Sequence, residues 1–341
     1  MPDSLIDSFG RCVTYLRVSL TDRCNYRCLY CMPPEGVAVM PHEQILSDDA
    51  IVQFVRVAAS LGVERIRLTG GEPLLRKSLV ELVARLAKIP GVKDLGLTTN
   101  GSRLTALAVP LREAGLTRIN VSLDSLEAES FEAITGGGRL SSVMEGIDAA
   151  MKAGLPLKIN VVVLRGMNEG ELLDFARLAL RKGVQVRFIE FMPLCGTGWR
   201  PELVFPLTEV KAIMRAHFCA EAIGRGSDVA DLMTISDGRR TGEIGFIATL
   251  SEPFCDTCSL IRLTADGKIR PCLFSREDFA VSELLKTDVP DEMIAERIRY
   301  AVTNKPRGSA YDDAMRAGGQ ADYLAYEGLE TATPSIRSIG G

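Results

Sequence analysis

Histidine is almost missing from this chain. Only His42 and His217 occur among 341 residues, which leaves a histidine-based triad or a zinc hydrolase too little to build on. There is no long basic run and the formal net charge is −4, which speaks against nucleic acid as a partner. No apolar run approaches the roughly 20 residues of a membrane-spanning helix, and the first residues lack the apolar core of a signal peptide. The expectation is a cytoplasmic protein with no membrane association. The pattern G-x4-G-K-[S/T] is absent as well, so a nucleotide would have to be held by basic side chains. With 46% hydrophobic and 25% charged residues, the chain has the balance of a globular protein. Its length suits one large α/β domain and a smaller appendage.

Cysteine, by contrast, is plentiful. There are nine, an odd number, and most fall in two tight groups. In a chain without a signal peptide this pattern reads as metal binding in a reducing compartment. The first group is Cys24, Cys28 and Cys31, spaced C-x3-C-x2-C, directly after the strand-like run Val13–Leu20. Three close thiolates suit an iron–sulfur cluster, and three ligands on a four-iron cluster leave one iron open for chemistry. A zinc knuckle is the alternative, although the nearest histidine, His42, is eleven residues on. The second group is Cys255, Cys258 and Cys272, C-x2-C-x13-C. It reads equally as a second open cluster or as a zinc ribbon completed by Cys219 or Cys195. Cys12 reads as a core cysteine.

Between the groups the pattern alternates. Ser47 caps a helix whose apolar positions Ile51, Phe54, Val55, Ala58 and Leu61 follow helical spacing, and Gly62 stops it. Strand-like runs at Glu64–Thr69, Asp94–Thr98, Arg118–Leu123, Leu157–Leu164 and Val184–Phe191 follow. Helical stretches at about Lys77–Lys88, Leu104–Glu113, Val143–Ala153 and Glu171–Lys182 separate them. With the first strand this makes six β-then-α units, hence parallel strands with right-handed crossovers. Beyond Pro193 the alternation fails. A helix at Leu207–His217, polar sequence around Gly224–Gly245, the second cysteine group and a helix near Asp291–Thr303 lead to a Gly/Ser-rich tail. The expected organisation is an α/β domain over 1–199 and a smaller metal-bearing module over 200–341.

Several motifs fall at strand ends, where parallel barrels gather function. Gly70-Gly71-Glu72-Pro73 follows a strand and is either a ligand cradle or a plain tight turn. Ser122 and Asp124 end the fourth strand and read as ligand contacts or as a helix cap. Arg17 and Arg67 lie inside strands, where burial argues against a solvated surface charge.

With Thr21-Asp22-Arg23 before it and Met32-Pro33 after it, the first cysteine loop resembles the signature of the radical S-adenosylmethionine (SAM) superfamily. Adding Leu97-Thr98-Thr99-Asn100-Gly101, Ile134-Thr135-Gly136-Gly137, the Cys255–Cys272 group and the Gly340-Gly341 ending narrows the resemblance to the GTP 3',8-cyclase family of molybdenum cofactor biosynthesis, across essentially the whole chain. The resemblance implies a partial (β/α)6 barrel over about 10–195 and a C-terminal module with a second [4Fe–4S] cluster. It implies a lyase that cleaves SAM to a 5'-deoxyadenosyl radical, abstracts hydrogen from the 3' carbon of GTP and joins that carbon to the 8 position of guanine. Cys24, Cys28 and Cys31 would hold one cluster, and Cys255, Cys258 and Cys272 the other, whose open iron would take the guanine. Tyr30, Gly71, Ser122 and Met192 match SAM contacts. Arg17, Arg67, Thr98, Lys158 and Arg262 match GTP contacts. Gly340 and Gly341 would thread into the active site, against the alternative of a frayed end. A reductant for the cluster and a downstream pterin-forming enzyme are the implied partners, and a homodimer stays open.

One position departs from the family. Where it usually carries arginines two and four residues after the second C-terminal cysteine, this chain has Leu260 and Arg262. Arg270 or Arg276 would be the cations to compensate. The departure keeps two other readings open: a radical SAM enzyme acting on a peptide, and a catalytically silent iron–sulfur or zinc protein. Cys195 also adds a thiol to a loop near the expected site.

Overall fold

The computed structural model describes residues 4–33, 36, 38–194, 197–226, 229–275, 277–285 and 289–308. Six parallel strands form its centre: β1 (Tyr15–Ser19), β2 (Arg65–Thr69), β3 (Asp94–Thr99), β4 (Arg118–Ser122), β5 (Leu157–Val163) and β6 (Gln185–Glu190). Between them run α1 (Asp48–Ser60), α2 (Leu79–Leu86), α3 (Leu104–Glu113), α4 (Ala128–Thr135), α5 (Leu140–Lys152) and α6 (Leu172–Lys182). Each starts and stops for local reasons. In α1 the Ser47 hydroxyl accepts from the Ala50 amide at 3.2 Å, and Asp48 and Asp49 occupy the positive end of the helix. Gly62, at φ +99°, then turns the chain where a side chain would be strained.

After β6 the chain adds α7 (Leu207–His217), then three strands, β7 (Cys219–Gly224), β8 (Asp231–Ser236) and β9 (Thr241–Ile247), where the sequence suggests only polar connection around Gly224–Gly245. Strands β10 (Leu260–Leu263), β11 (Lys268–Arg270) and β12 (Phe279–Ala280) follow, and α8 (Asp291–Thr303) ends the regular structure. β7–β8–β9 is an antiparallel meander, but β9 pairs parallel with β6, and β10 pairs parallel with β1. The order β12-β11-β10-β1-β2-β3-β4-β5-β6-β9-β8-β7 therefore contains an unbroken run of parallel strands from β10 to β9. The residues after 200 continue the sheet at both edges of the six expected strands. The meander is hard to read because β7 is an exposed edge and β9 carries Gly242 and Gly245. Those glycines give room to α6 and to the side chain of Arg187. Cys12 is exposed, not core; it pairs with Ile6 in an isolated bridge at the surface.

The two faces of the sheet differ. The outward face is apolar: Leu16, Val18, Ile66, Leu68, Leu95, Leu97, Ile119, Val121, Ile159, Val186 and Phe188 are buried in one core with the helices. Buried parallel strands are ordinarily apolar on both faces. Here the alternate, inward positions are Tyr15, Arg17, Arg67, Thr98, Asn120, Ser122, Lys158, Arg187 and Arg262. A polar lumen in a parallel barrel is a place for a ligand.

Candidate active site

The first cysteine loop is fixed by close backbone packing. The amides of Arg27 and Leu29 donate to the carbonyls of Thr135 (2.8 Å) and Ile134 (3.0 Å) at the end of α4. A Cβ on Gly136 would sit 2.8 Å from the Arg27 carbonyl oxygen, which explains the glycine there. From the other side, the amides of Gly71 and Glu72 donate to the carbonyls of Thr21 (2.6 Å) and Arg23 (2.7 Å). A Cβ on Gly71 would run into the Arg23 carbonyl. The two glycines thus let other segments approach the loop closely, Gly71 directly before Cys24 and Gly136 between Cys24 and Cys28. The side chains of Cys24, Cys28 and Cys31 are partly buried together. Burial first, then the charges of Asp124, Cys31 and Cys24, holds the Cys28 thiol well above its ordinary range. Thiolates so placed call for a metal cation, which is the fit expected of cluster ligands.

Glu72 organises the strand ends around this loop. It is 0% exposed and accepts from Leu74 N (2.9 Å), Thr99 Oγ1 (2.6 Å) and Asn100 N (2.7 Å). Burial raises its carboxyl to about 7 against the pull of those donors. Asn100 in turn donates to Asn25 Oδ1 at 2.9 Å, inside the cysteine loop. Tyr30 donates its hydroxyl to Asp124 Oδ2 at 2.7 Å, and the Val162 amide donates to the other oxygen at 2.9 Å. Burial raises Asp124 to about 6 although both hydrogen bonds lower it. Asp124 therefore joins the cysteine loop to β4 and β5. Ser122 ends β4 on the inward face, half-buried, and Met192 packs after β6 against Leu194 and Leu273. Gly71 and Ser122 are thus set at strand ends around the loop, and Tyr30 within it.

Below that rim the lumen is cationic. Arg17 pairs in register with Arg67 on one side and Arg262 on the other. Arg67 and Arg262 are 2% and 4% exposed. Gly96, in register with Arg67, makes room for its guanidinium: a Cβ there would lie 2.7 Å from Nη1. Arg67 donates to Tyr15 Oη at 3.1 Å and to the Leu97 carbonyl at 3.3 Å. Thr98, Asn120 and Lys158 stand in register across β3, β4 and β5. The Nε atoms of Arg17 and Arg262 and the Oδ1 atoms of Asn120 and Asn160 are buried without a hydrogen-bond partner among the described residues. A buried donor without an acceptor is costly, so this row is built for an anionic, hydrogen-bonding ligand. Burial raises the Tyr15 phenol, but the charges of Arg67 and Arg17 outweigh it and bring it to about 7.

The second cysteine group adjoins the same row. Cys255 opens a short turn to Cys258, two residues before β10, and Cys272 follows β11. Burial and the like charge of Arg17 disfavour the guanidinium charge of Arg262, while Cys272 and Cys258 act in the opposite direction. Among the described residues, no three His, Cys, Asp or Glu converge tightly enough for a single metal ion. A four-iron cluster requires no such convergence, since its thiolates bind different irons. Cys219 is exposed on β7. Arg270 is committed to Asp278 Oδ2 (2.7 Å) and the Ser275 carbonyl (3.2 Å), so it does not replace the arginine missing at Leu260. Arg276, Cys195, Gly340 and Gly341 lie outside the described residues.

Comparison with known proteins agrees with this geometry. The family described as Radical SAM superfamily matches residues 18–179, and Molybdenum Cofactor Synthesis C matches 184–311. GTP 3',8-cyclase of Geobacter sulfurreducens is 45% identical over 322 residues, covering 94% of this chain and 98% of the relative. The chain belongs to the GTP 3',8-cyclase family. GTP 3',8-cyclases of Moorella thermoacetica (45% identity, 91% and 96% coverage) and Listeria monocytogenes (43%, 89% and 91%) are similar along nearly the whole length too. Streptococcus suis SuiB bound to S-adenosylmethionine shares the fold, with a TM-score of 0.60 at 13% identity over 90% of this chain and 76% of that one. So does anSMEcpe with bound AdoMet, at 0.59 and 16% over 85% and 78%. The cofactors of a GTP 3',8-cyclase family member are SAM and two [4Fe–4S] clusters. Sequence reading names the six cysteines and the arginines, takes Glu72 only as part of the Gly70–Pro73 motif, and does not single out Tyr15, Asn120 or Arg187. For Tyr15, Asn120 and Arg187 the signal was present: they alternate with buried apolar residues along their strands.

Proposed function

We propose that this protein converts GTP to (8S)-3',8-cyclo-7,8-dihydroguanosine 5'-triphosphate, an early step of molybdenum cofactor biosynthesis. The observation that carries the reading is the row Arg67–Arg17–Arg262 on the adjacent strands β2, β1 and β10, in which the Nε atoms of Arg17 and Arg262 are buried with no hydrogen-bond partner among the described residues. When bound, the N-terminal cluster and SAM supply a 5'-deoxyadenosyl radical.

The chain's own residues orient the substrate. Cys24, Cys28 and Cys31 hold one cluster, and Tyr30, Gly71, Ser122 and Met192 contact SAM. Arg17, Arg67, Arg262 and Lys158 hold the triphosphate, with fixed charged donors suited to phosphate. Thr98 contacts the ribose. Cys255, Cys258 and Cys272 hold the second cluster at the guanine end, and Gly340 and Gly341 complete the site. Burial of the lumen keeps water from a reactive carbon centre. Among the described residues no helix is long and apolar enough to cross a membrane. We place the enzyme in the reducing cytosol, supplied by an electron donor, handing its product to a pterin-forming enzyme, with a homodimer compatible with these roles.

The test is an anaerobic assay of cluster-reconstituted protein with SAM, GTP and dithionite, followed by mass spectrometry. GTP-dependent 5'-deoxyadenosine together with the cyclised nucleotide supports the reading. SAM cleavage without cyclised product, unrestored by Leu260→Arg, defeats it in favour of another substrate.

A further inference from the structure

Lys305, just beyond α8, is 2% exposed. Its ammonium donates to the carbonyls of Leu260 (2.8 Å) and Pro271 (2.7 Å) and lies 3.5 Å from Cys258 Sγ. An ammonium has three donors, and these three contacts use them all. No carboxylate of a described residue pairs with it. A buried cation without an anion is strongly disfavoured, so the thiolate of Cys258 is its natural counter-charge.

The placement reaches the segments of two cysteines of the group. Leu260 lies two residues after Cys258, and Pro271 immediately precedes Cys272. Arg11 grips the same stretch from the N-terminal side. It donates to the carbonyls of Cys255 (2.8 Å), Arg307 (2.6 Å) and Pro306 (2.6 Å), while its Nε is held by Asp7 at 2.5 Å. Residues 305–307 are thus clamped between the three ligand-bearing segments.

We propose that Lys305 is a positioning residue for the C-terminal cluster: it fixes the Cys258 and Cys272 segments relative to each other and sets a permanent positive charge against one ligand sulfur. The inference rests on the reading that Cys255, Cys258 and Cys272 hold that cluster. A fixed cation favours the more negatively charged, reduced cluster, so Lys305 raises its reduction potential.

The experiment uses full-length protein carrying Cys24→Ser, Cys28→Ser and Cys31→Ser, so that only the C-terminal cluster gives a signal. Iron content and an EPR-monitored potentiometric titration are compared for this parent, Lys305→Met and Lys305→Arg. The expected result is a shift of Lys305→Met to lower potential by a factor of ten or more in the reduced-to-oxidised ratio, about 59 mV for one electron, with Lys305→Arg close to the parent. Iron lost from Lys305→Met but kept by Lys305→Arg also supports the role. A loaded Lys305→Met protein titrating with the parent overturns it, as does equal loss of iron from both variants. A parent that binds no iron defeats the ligand reading itself, a distinct result.

Discussion

Arg17 on β1 and Arg262 on β10 stand directly opposite each other on adjacent parallel strands, each with a buried Nε that no group among the described residues accepts from. Like charges at that separation repel, and the pair persists in the fold because the strands that carry it are held by an apolar outer face. A polyphosphate would relieve both the repulsion and the unmade hydrogen bonds. Replacing either arginine by alanine should therefore lower kcat/KM for GTP by roughly 10- to 100-fold, the equivalent of about 1.5–3 kcal/mol for a charge-assisted hydrogen bond. SAM affinity should change little. Anaerobic steady-state kinetics and SAM binding on the same preparations check this; an equal loss of both would assign the arginines to general folding.

Leu260 faces Tyr15 one step further down the same two strands. Leu260→Arg would place another guanidinium in a lumen already holding Arg17, Arg67 and Arg262, without an anion to meet it. The free variant should melt below the wild type, and GTP should raise its melting temperature by more than it raises the wild type's. Differential scanning fluorimetry with and without GTP reads both numbers. An unchanged response to GTP would place position 260 outside the nucleotide's reach.

Tyr15 should titrate near neutrality. Its phenol is brought to about 7 because Arg67 and Arg17 outweigh burial. Carbon-13 NMR of labelled tyrosine in the cluster-free protein should show one resonance ionising near pH 7 and absent from Tyr15→Phe. Bound triphosphate, adding negative charge, should move that ionisation upward. A Tyr15 that titrates in the ordinary range would mean that the guanidinium groups face away from it.

Glu72 gives a pH-dependent stability with a definite sign. Its folded pKa of about 7 lies above the ordinary carboxyl value of 4.5, so between these values the folded state holds more proton than the unfolded chain. The stabilisation is complete below about 4.5 and is lost as pH rises through about 7, a difference on the order of 3 kcal/mol. Relative to Glu72→Gln, the wild type should lose stability across that window in urea titrations. Parallel curves for the two proteins would place the Glu72 carboxylate at an ordinary pKa, satisfied by its three donors.

Gly71→Ala should be among the most damaging single substitutions, because the added methyl meets the rigid Arg23 carbonyl next to Cys24. Iron bound by the N-terminal loop should fall well below the wild-type content, whereas Gly170→Ala, with open space around it, should leave iron content unchanged. Iron analysis after reconstitution distinguishes the two.

Much of this was legible in the chain. Six β-then-α units showed themselves because each outward strand face and helix stripe is apolar, and α3, α7 and α8 span the residues that the sequence pattern places in helices. The cysteine groups and the arginines at 17, 67 and 262 were legible because thiols at close spacing and charges inside strands are hard to explain otherwise. What escaped depends on tertiary contacts. β9 and β10 join the parallel sheet from far along the sequence, and no local pattern reports a long-range pairing. Glu72 read as part of a turn, yet its role is to join three loops. Lys305 read as nothing, since its three partners lie 34 to 47 residues away.

The most direct measurement follows a single hydrogen atom. GTP deuterated at the 3' carbon, turned over anaerobically with SAM and reductant, should yield 5'-deoxyadenosine carrying one deuterium and a cyclised nucleotide without it. Unlabelled 5'-deoxyadenosine, formed at the same rate with and without GTP, would contradict the account.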